Sequence, residues 1–117
     1  MSNRFKQLHS FEHRSAECKK ILDKYPDKVP VIVTRYEKCK NVDDITKNKF
    51  LVPGDLTLAQ FVYVIKKRIQ LNADMSLYVF VNEQIPVSST TLNKLHQEFK
   101  DEDGFLYISY ASENTFG

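Results

Sequence analysis

Two kinds of apolar spacing alternate along this 117-residue chain. In SFEHRSAECKKILDKYP, Phe11, Cys18, Ile21, Leu22 and Tyr25 fall on roughly one helical face. Ser10 can cap the start, Glu12 lies near the positive end of the dipole, and Pro26 stops the helix. Residues 1–8 carry a weaker helical pattern. VPVIVTRY then sets Val29, Val31 and Val33 against Pro30, Ile32 and Thr34, the two-residue period of a strand with unlike faces. Pro30 has no N–H to offer a neighbouring strand. After a polar, lysine-containing loop, KFLVP predicts a second short strand, closed by Pro53 and presenting an exposed edge. TLAQFVYVIKKRI has the clearest helical spacing, with Leu58, Phe61, Val62, Ile65 and Ile69 on one face. Thr57 and Gln60 stand at capping-box spacing, and Lys66, Lys67 and Arg68 suit the C-terminal end. LYVFVN and FLYISY are rich in β-branched and aromatic residues and read as strands. Between them Leu92, Leu95 and Phe99 mark a short helix, and DEDG a turn. The order is helix, strand, strand, helix, strand, short helix, strand. It predicts an α+β roll around one four-stranded sheet, with a helical piece added outside.

Length confines this to one domain. The apolar fraction of 42% and charged fraction of 27% are those of a globular protein, and no apolar run approaches the ~18 residues of a membrane span. The start, MSNRFKQLHSFEHR, lacks the apolar stretch and cleavage site of a secretory signal, so a cytosolic chain is expected. In that compartment Cys18 and Cys39 are expected as thiols rather than a disulfide. The net charge of +2 is unevenly spread: residues 1–68 hold 15 Lys/Arg against 8 Asp/Glu, and residues 69–117 hold 2 against 7. A basic first half fits an acidic protein segment, an anionic membrane or nucleic acid, or simply a solvated surface.

Catalysis finds no support in this pattern. Neither cysteine stands in a motif that pairs it with His9, His13 or His96, the histidines have no ligand spacing, and three glycines form no phosphate loop. No enzyme, metal or cofactor is expected. Nucleic acid is not expected either, because the basic residues are not interleaved with base-stacking aromatics. Peptide binding suits the residues better. Pro30 and Ile32 turn away from the valine face, and Glu17 and Ile21 of the first helix and Phe105 can join them around one apolar hollow. Phe50, Val52, Pro53, Leu56, Phe61 and Val64 gather near the predicted edge strand and the start of the main helix. A peptide adding to that edge gains main-chain hydrogen bonds and places alternate side chains in the hollows. Lys28, Lys47, Lys49 and Arg68 would attract its acidic residues. Against this, Ile21, Leu51, Leu56 and Phe61 also read as ordinary core.

FEHRSAECKKILDKYPDKVPVIV, KFLVPGDLTLAQFVYVIKKRI, YVFVNEQIP and QEFKDEDGFLYISYASENTFG together resemble the autophagy ubiquitin-like modifiers, the family of the autophagosome lipid-conjugated protein and the GABA-receptor-associated proteins. The likeness spans nearly the whole chain. It implies an α+β, ubiquitin-like β-grasp roll with a four-stranded mixed sheet and an N-terminal helical extension. Residues 1–28 would form the extension, 29–110 the core, and 111–117 a flexible tail ending in the conjugated glycine.

The resemblance further implies that a processing and deconjugating cysteine protease exposes Gly117, and that activating and conjugating enzymes pass it to phosphatidylethanolamine of the autophagic membrane. A residue without a side chain suits a terminus that threads narrow active sites. The family's aromatic pocket maps onto Glu17, Ile21, Pro30, Ile32, Lys49, Leu51 and Phe105, and its aliphatic pocket onto Phe50, Val52, Pro53, Leu56, Phe61 and Val64. Lys28, Lys47, Lys49 and Arg68 match positions that meet the acidic flanks of cargo-receptor and adaptor motifs of aromatic-x-x-aliphatic form. Two departures stand out: the loop TRYEKCKNVDDITKN follows the family pattern poorly, and Phe50 stands where tyrosine is often found. The expectation is a cytoplasmic modifier that moves to the autophagosomal membrane when lipidated. An unconjugated trafficking or cytoskeletal adaptor using the same groove is the alternative.

Overall fold

The computed structural model describes residues 4–36, 38, 39, 44, 45, 47–72 and 74–112. Elements follow the expected order: α1 (Arg4–Leu8), α2 (Phe11–Lys24), β1 (Lys28–Arg35), β2 (Lys49–Pro53), α3 (Leu58–Arg68), β3 (Leu77–Phe80), α4 (Leu92–Phe99) and β4 (Leu106–Ser112). The local signals act as read. Ser10 accepts the His13 N–H at 3.2 Å to cap α2. At α3 the Thr57 hydroxyl accepts from the Gln60 N–H (3.3 Å) and the Gln60 side chain accepts from the Thr57 N–H (2.9 Å), which closes the capping box.

The sheet order is β2-β1-β4-β3, with β1–β2 and β3–β4 antiparallel and β1–β4 parallel. The two antiparallel pairs are thus joined through a parallel central pair, the mixed sheet of a ubiquitin-like roll. The central position of β1 makes Pro30 worth accounting for. Val33 donates to Asn48 beside β2, and Tyr36 donates to Tyr110 of β4, so odd residues of β1 address β2 and even ones β4. The missing N–H of Pro30 therefore falls on the β4 side, one residue before that ladder begins at Val31–Leu106.

Alternation gives the sheet two covered faces. Val29, Val31 and Val33 join Phe50, Val52, Phe61, Ile65, Leu106 and Ile108 in the main core beneath α3. Ile32 and Phe105 lie on the opposite face with Phe5 and Cys18 of the helical extension. The second core corrects the first reading of α2. Phe11 and Tyr25 are exposed, and the side chains buried there are Arg14 and Cys18. Phe5 from α1 supplies the apolar bulk instead, packed edge-on to Phe105 at 5.7 Å. Cys39 lies in the loop between β1 and β2, as read, and its side chain is buried in the main core. The last strand begins at Leu106, because the Phe105 N–H is taken by the Asp103 carboxylate at 2.9 Å. It continues through Ala111 and Ser112, so these two residues, assigned from the sequence to the tail, belong to the sheet and are buried.

Candidate functional site

The β2 strand occupies one edge of the sheet, and its register fixes which groups point outward. Val33–Asn48 is a hydrogen-bonded pair, so by alternation Phe50 and Val52 also bond to β1. Lys49, Leu51 and Pro53 present their main-chain groups to the open side. Pro53 costs the sheet no donor there, and the N–H groups of Lys49 and Leu51 are the donors this edge offers.

The side chains divide with the same parity. Lys49 and Leu51 pair with Ile32 and Pro30 and so lie on the face covered by α2, while Phe50 and Val52 pair with Val31 and Val29 on the α3 face. On the α2 side, Leu51 is 40% exposed, Ile21 is half-buried, and Pro30, Ile32 and Phe105 are buried beneath them. Lys49 Nζ forms an ion pair with Glu17 and stands 5.7 Å from the Phe5 ring. Phe5 was not among the residues expected at this site. Its only sequence signal was the weak helical pattern of residues 1–8.

On the α3 side, Phe50 and Phe61 meet edge to face at 5.4 Å and are both buried, Leu56 is half-buried, and Val64 is exposed. Phe61 is thus part of the main core beneath this face. Pro53 shares strand parity with Leu51 and lies exposed at the strand's end. Arg68 lies over the Phe50 ring at 4.8 Å, Lys47 is exposed, and Lys28 is half-buried beside Pro53 in the β1–β2 register. Gly117 lies outside the described residues. A cavity of about 200 Å³ between Val81, Val87 and α4 contains none of the expected site residues.

A buried polar network holds α1 and α2 over this face. Arg14 Nε donates to Asp103 Oδ2 at 2.9 Å, and its Nη1 donates to the carbonyls of His9 (2.8 Å) and Lys6 (3.3 Å). The Tyr107 hydroxyl also donates to Asp103, and Lys6 pairs with Asp101 at 2.5 Å. Burial opposes charge on Asp101, but Lys6, the Asp103 N–H and Arg14 outweigh it and hold the carboxyl below its ordinary range. Burial, then the bond to Asp103, pushes the Tyr107 phenol well above its ordinary value. The spacing of Arg14, four residues before Cys18 on the inner stripe of α2, was the one sequence sign of a buried cation.

The family model described as "Autophagy protein Atg8 ubiquitin like" matches residues 13–117. The chain belongs to the Atg8 ubiquitin-like autophagy family. Its Atg8 relatives include Autophagy-related protein 8 of Mycosarcoma maydis and of Aspergillus niger, each 49% identical over 117 residues, spanning 100% of this chain and 98% of the relative. The crystal structure of Trypanosoma brucei ATG8 superposes with a TM-score of 0.94 at 38% identity, covering 100% of both chains. The Atg8 fold therefore includes the α1–α2 extension as well as the roll.

Proposed function

We propose that this protein is a non-catalytic ubiquitin-like modifier that gathers autophagy cargo receptors and adaptors by adding their peptides to β2. One observation supports the reading: Lys49 and Leu51 lie on one face of the edge strand β2 and Phe50 and Val52 on the other. A strand added there projects successive side chains to alternate faces, so residues three apart point to opposite sides. An aromatic-x-x-aliphatic segment reaches both hollows, with its aromatic residue over Leu51 and Ile21 and its aliphatic residue over Val52, Leu56 and Val64. Lys28, Lys47, Lys49 and Arg68 attract acidic flanks. Titration with such a peptide tests this, beside versions carrying alanine at either anchor or one residue fewer between them. Each change should weaken binding at least tenfold. Equal affinity for the shortened spacing would overturn it.

The membrane side of the function rests on family membership and on the match that runs through residue 117. Activating enzyme, conjugating enzyme and processing protease would handle Gly117, whose carboxylate, made electrophilic as an adenylate and then a thioester, forms an amide with phosphatidylethanolamine. The chain would move between cytoplasm and autophagosomal membrane. Reconstitution with both enzymes, ATP and phosphatidylethanolamine liposomes should give a lipid adduct by intact mass, lost when Gly117 is deleted. No adduct from the intact chain would leave an unconjugated adaptor as the better account.

A further inference from the structure

At the mouth of the aromatic hollow, one carboxylate is shared between two basic groups. One Glu17 oxygen pairs with Lys49 of β2, and the other lies 3.9 Å from His13 Nε2, one turn earlier on α2. His13 is exposed, and its ring stacks on His9 at 5.2 Å between centroids. Two further cations of the extension are committed elsewhere: Arg14 to Asp103 and Lys6 to Asp101. Of the two stacked imidazoles, His13 is the one that lies within 4 Å of a carboxylate among the described residues.

We propose that His13 is a specificity-determining residue of the groove, raising its preference for an acidic residue beside the aromatic anchor when the imidazole is protonated. The inference rests on the groove reading above. With neutral His13, Glu17 and Lys49 sum to zero charge, and the Glu17 carboxylate already occupies the ammonium that an incoming acid would seek. With His13 protonated, the triplet carries one positive charge, and Glu17 has a second cation to hold it. Both effects act in the same direction. An imidazole changes charge between about pH 5 and 8, whereas a peptide glutamate, with a reference pKa of about 4.3, stays ionised throughout. The exposed setting limits the size: the acid-over-neutral preference should rise roughly two- to fivefold, the range for a solvent-exposed ion pair.

The test uses two synthetic aromatic-x-x-aliphatic peptides, one with glutamate next to the aromatic residue and one with glutamine there, titrated at pH 7.5 and 5.5. In the wild-type chain the affinity ratio of the two should rise on acidification. His13→Gln should hold it flat, His9→Gln should keep the rise, and Glu17→Gln should start from a higher ratio at pH 7.5. A pH-independent ratio in wild type, or a rise that survives His13→Gln, overturns the inference while leaving the groove intact. Failure of both peptides to bind at either pH overturns the groove reading and this inference with it.

Discussion

Leu51→Ala separates binding from folding at one position. Full burial of a leucine side chain is worth about 1.5–3 kcal/mol. Because Leu51 is 40% exposed in the free protein, a peptide that covers the rest gains about 0.6–1.2 kcal/mol from it, roughly three- to sevenfold in Kd. The portion already covered by α2 and β1 supports about 1–2 kcal/mol of stability, well under the 2–5 kcal/mol expected for Ile32→Ala in the buried layer beneath. Isothermal titration with an aromatic-x-x-aliphatic peptide and urea unfolding of the same preparations read the two quantities. The expected result is weakened peptide binding in a chain that stays folded and is conjugated as wild type. Unchanged peptide affinity would refute the assignment of Leu51 to the hollow, and a fall seen only where the chain unfolds would reduce it to a packing residue.

Arg14→Met should destabilise the fold by about 3 kcal/mol in urea, since Asp103 would keep the Tyr107 and Phe105 donors but lose its buried counter-charge; a loss below about 1 kcal/mol would contradict the network. Gly104→Ala should cost about 1–3 kcal/mol, because φ is +97° and a Cβ would lie 2.7 Å from Cys18 Sγ. Pairing it with Cys18→Ala should restore only part of that, leaving the backbone strain. Burial, then the charges of Asp103 and Glu17, pushes the Cys18 thiol up to about 11, so iodoacetamide at pH 7.5 should label it in urea and spare it in the native protein. The raised value means its contribution to stability is complete below about pH 9 and is lost as pH rises through about 11.

Local signals carried most of the fold. The capping box and apolar stripe marked α3, and the valine alternation marked β1 with its two unlike faces, because each depends on residues within one or two turns. What escaped depended on partners far along the chain. Phe11 and Tyr25 match the α2 stripe but stand exposed, since Phe5 and the Arg14–Asp103 pair fill the space beneath. Cys39 sits in the loop where the sequence put it, but its burial came from distant residues closing over it, and Ala111 and Ser112 looked like tail until β3 paired with them. At the site, KFLVP was legible as a strand, but Pro53 was grouped with Phe50 and Val52 although it shares the parity of Leu51, and whether Leu51 was core or surface was not legible. The edge position of KFLVP was anticipated and is where β2 lies, but how far α2 covers the face carrying Leu51 is set by residues distant in the chain.

Amide hydrogen exchange across β2, with and without an aromatic-x-x-aliphatic peptide, tests the proposed recognition most directly. The N–H groups of Lys49 and Leu51 address the open edge, whereas those of Phe50 and Val52 already face β1. The expected result is strong new protection at Lys49 and Leu51 and little change at Phe50 and Val52. Protection that arises at β3 or α4 while Lys49 and Leu51 exchange as before would contradict strand addition at β2.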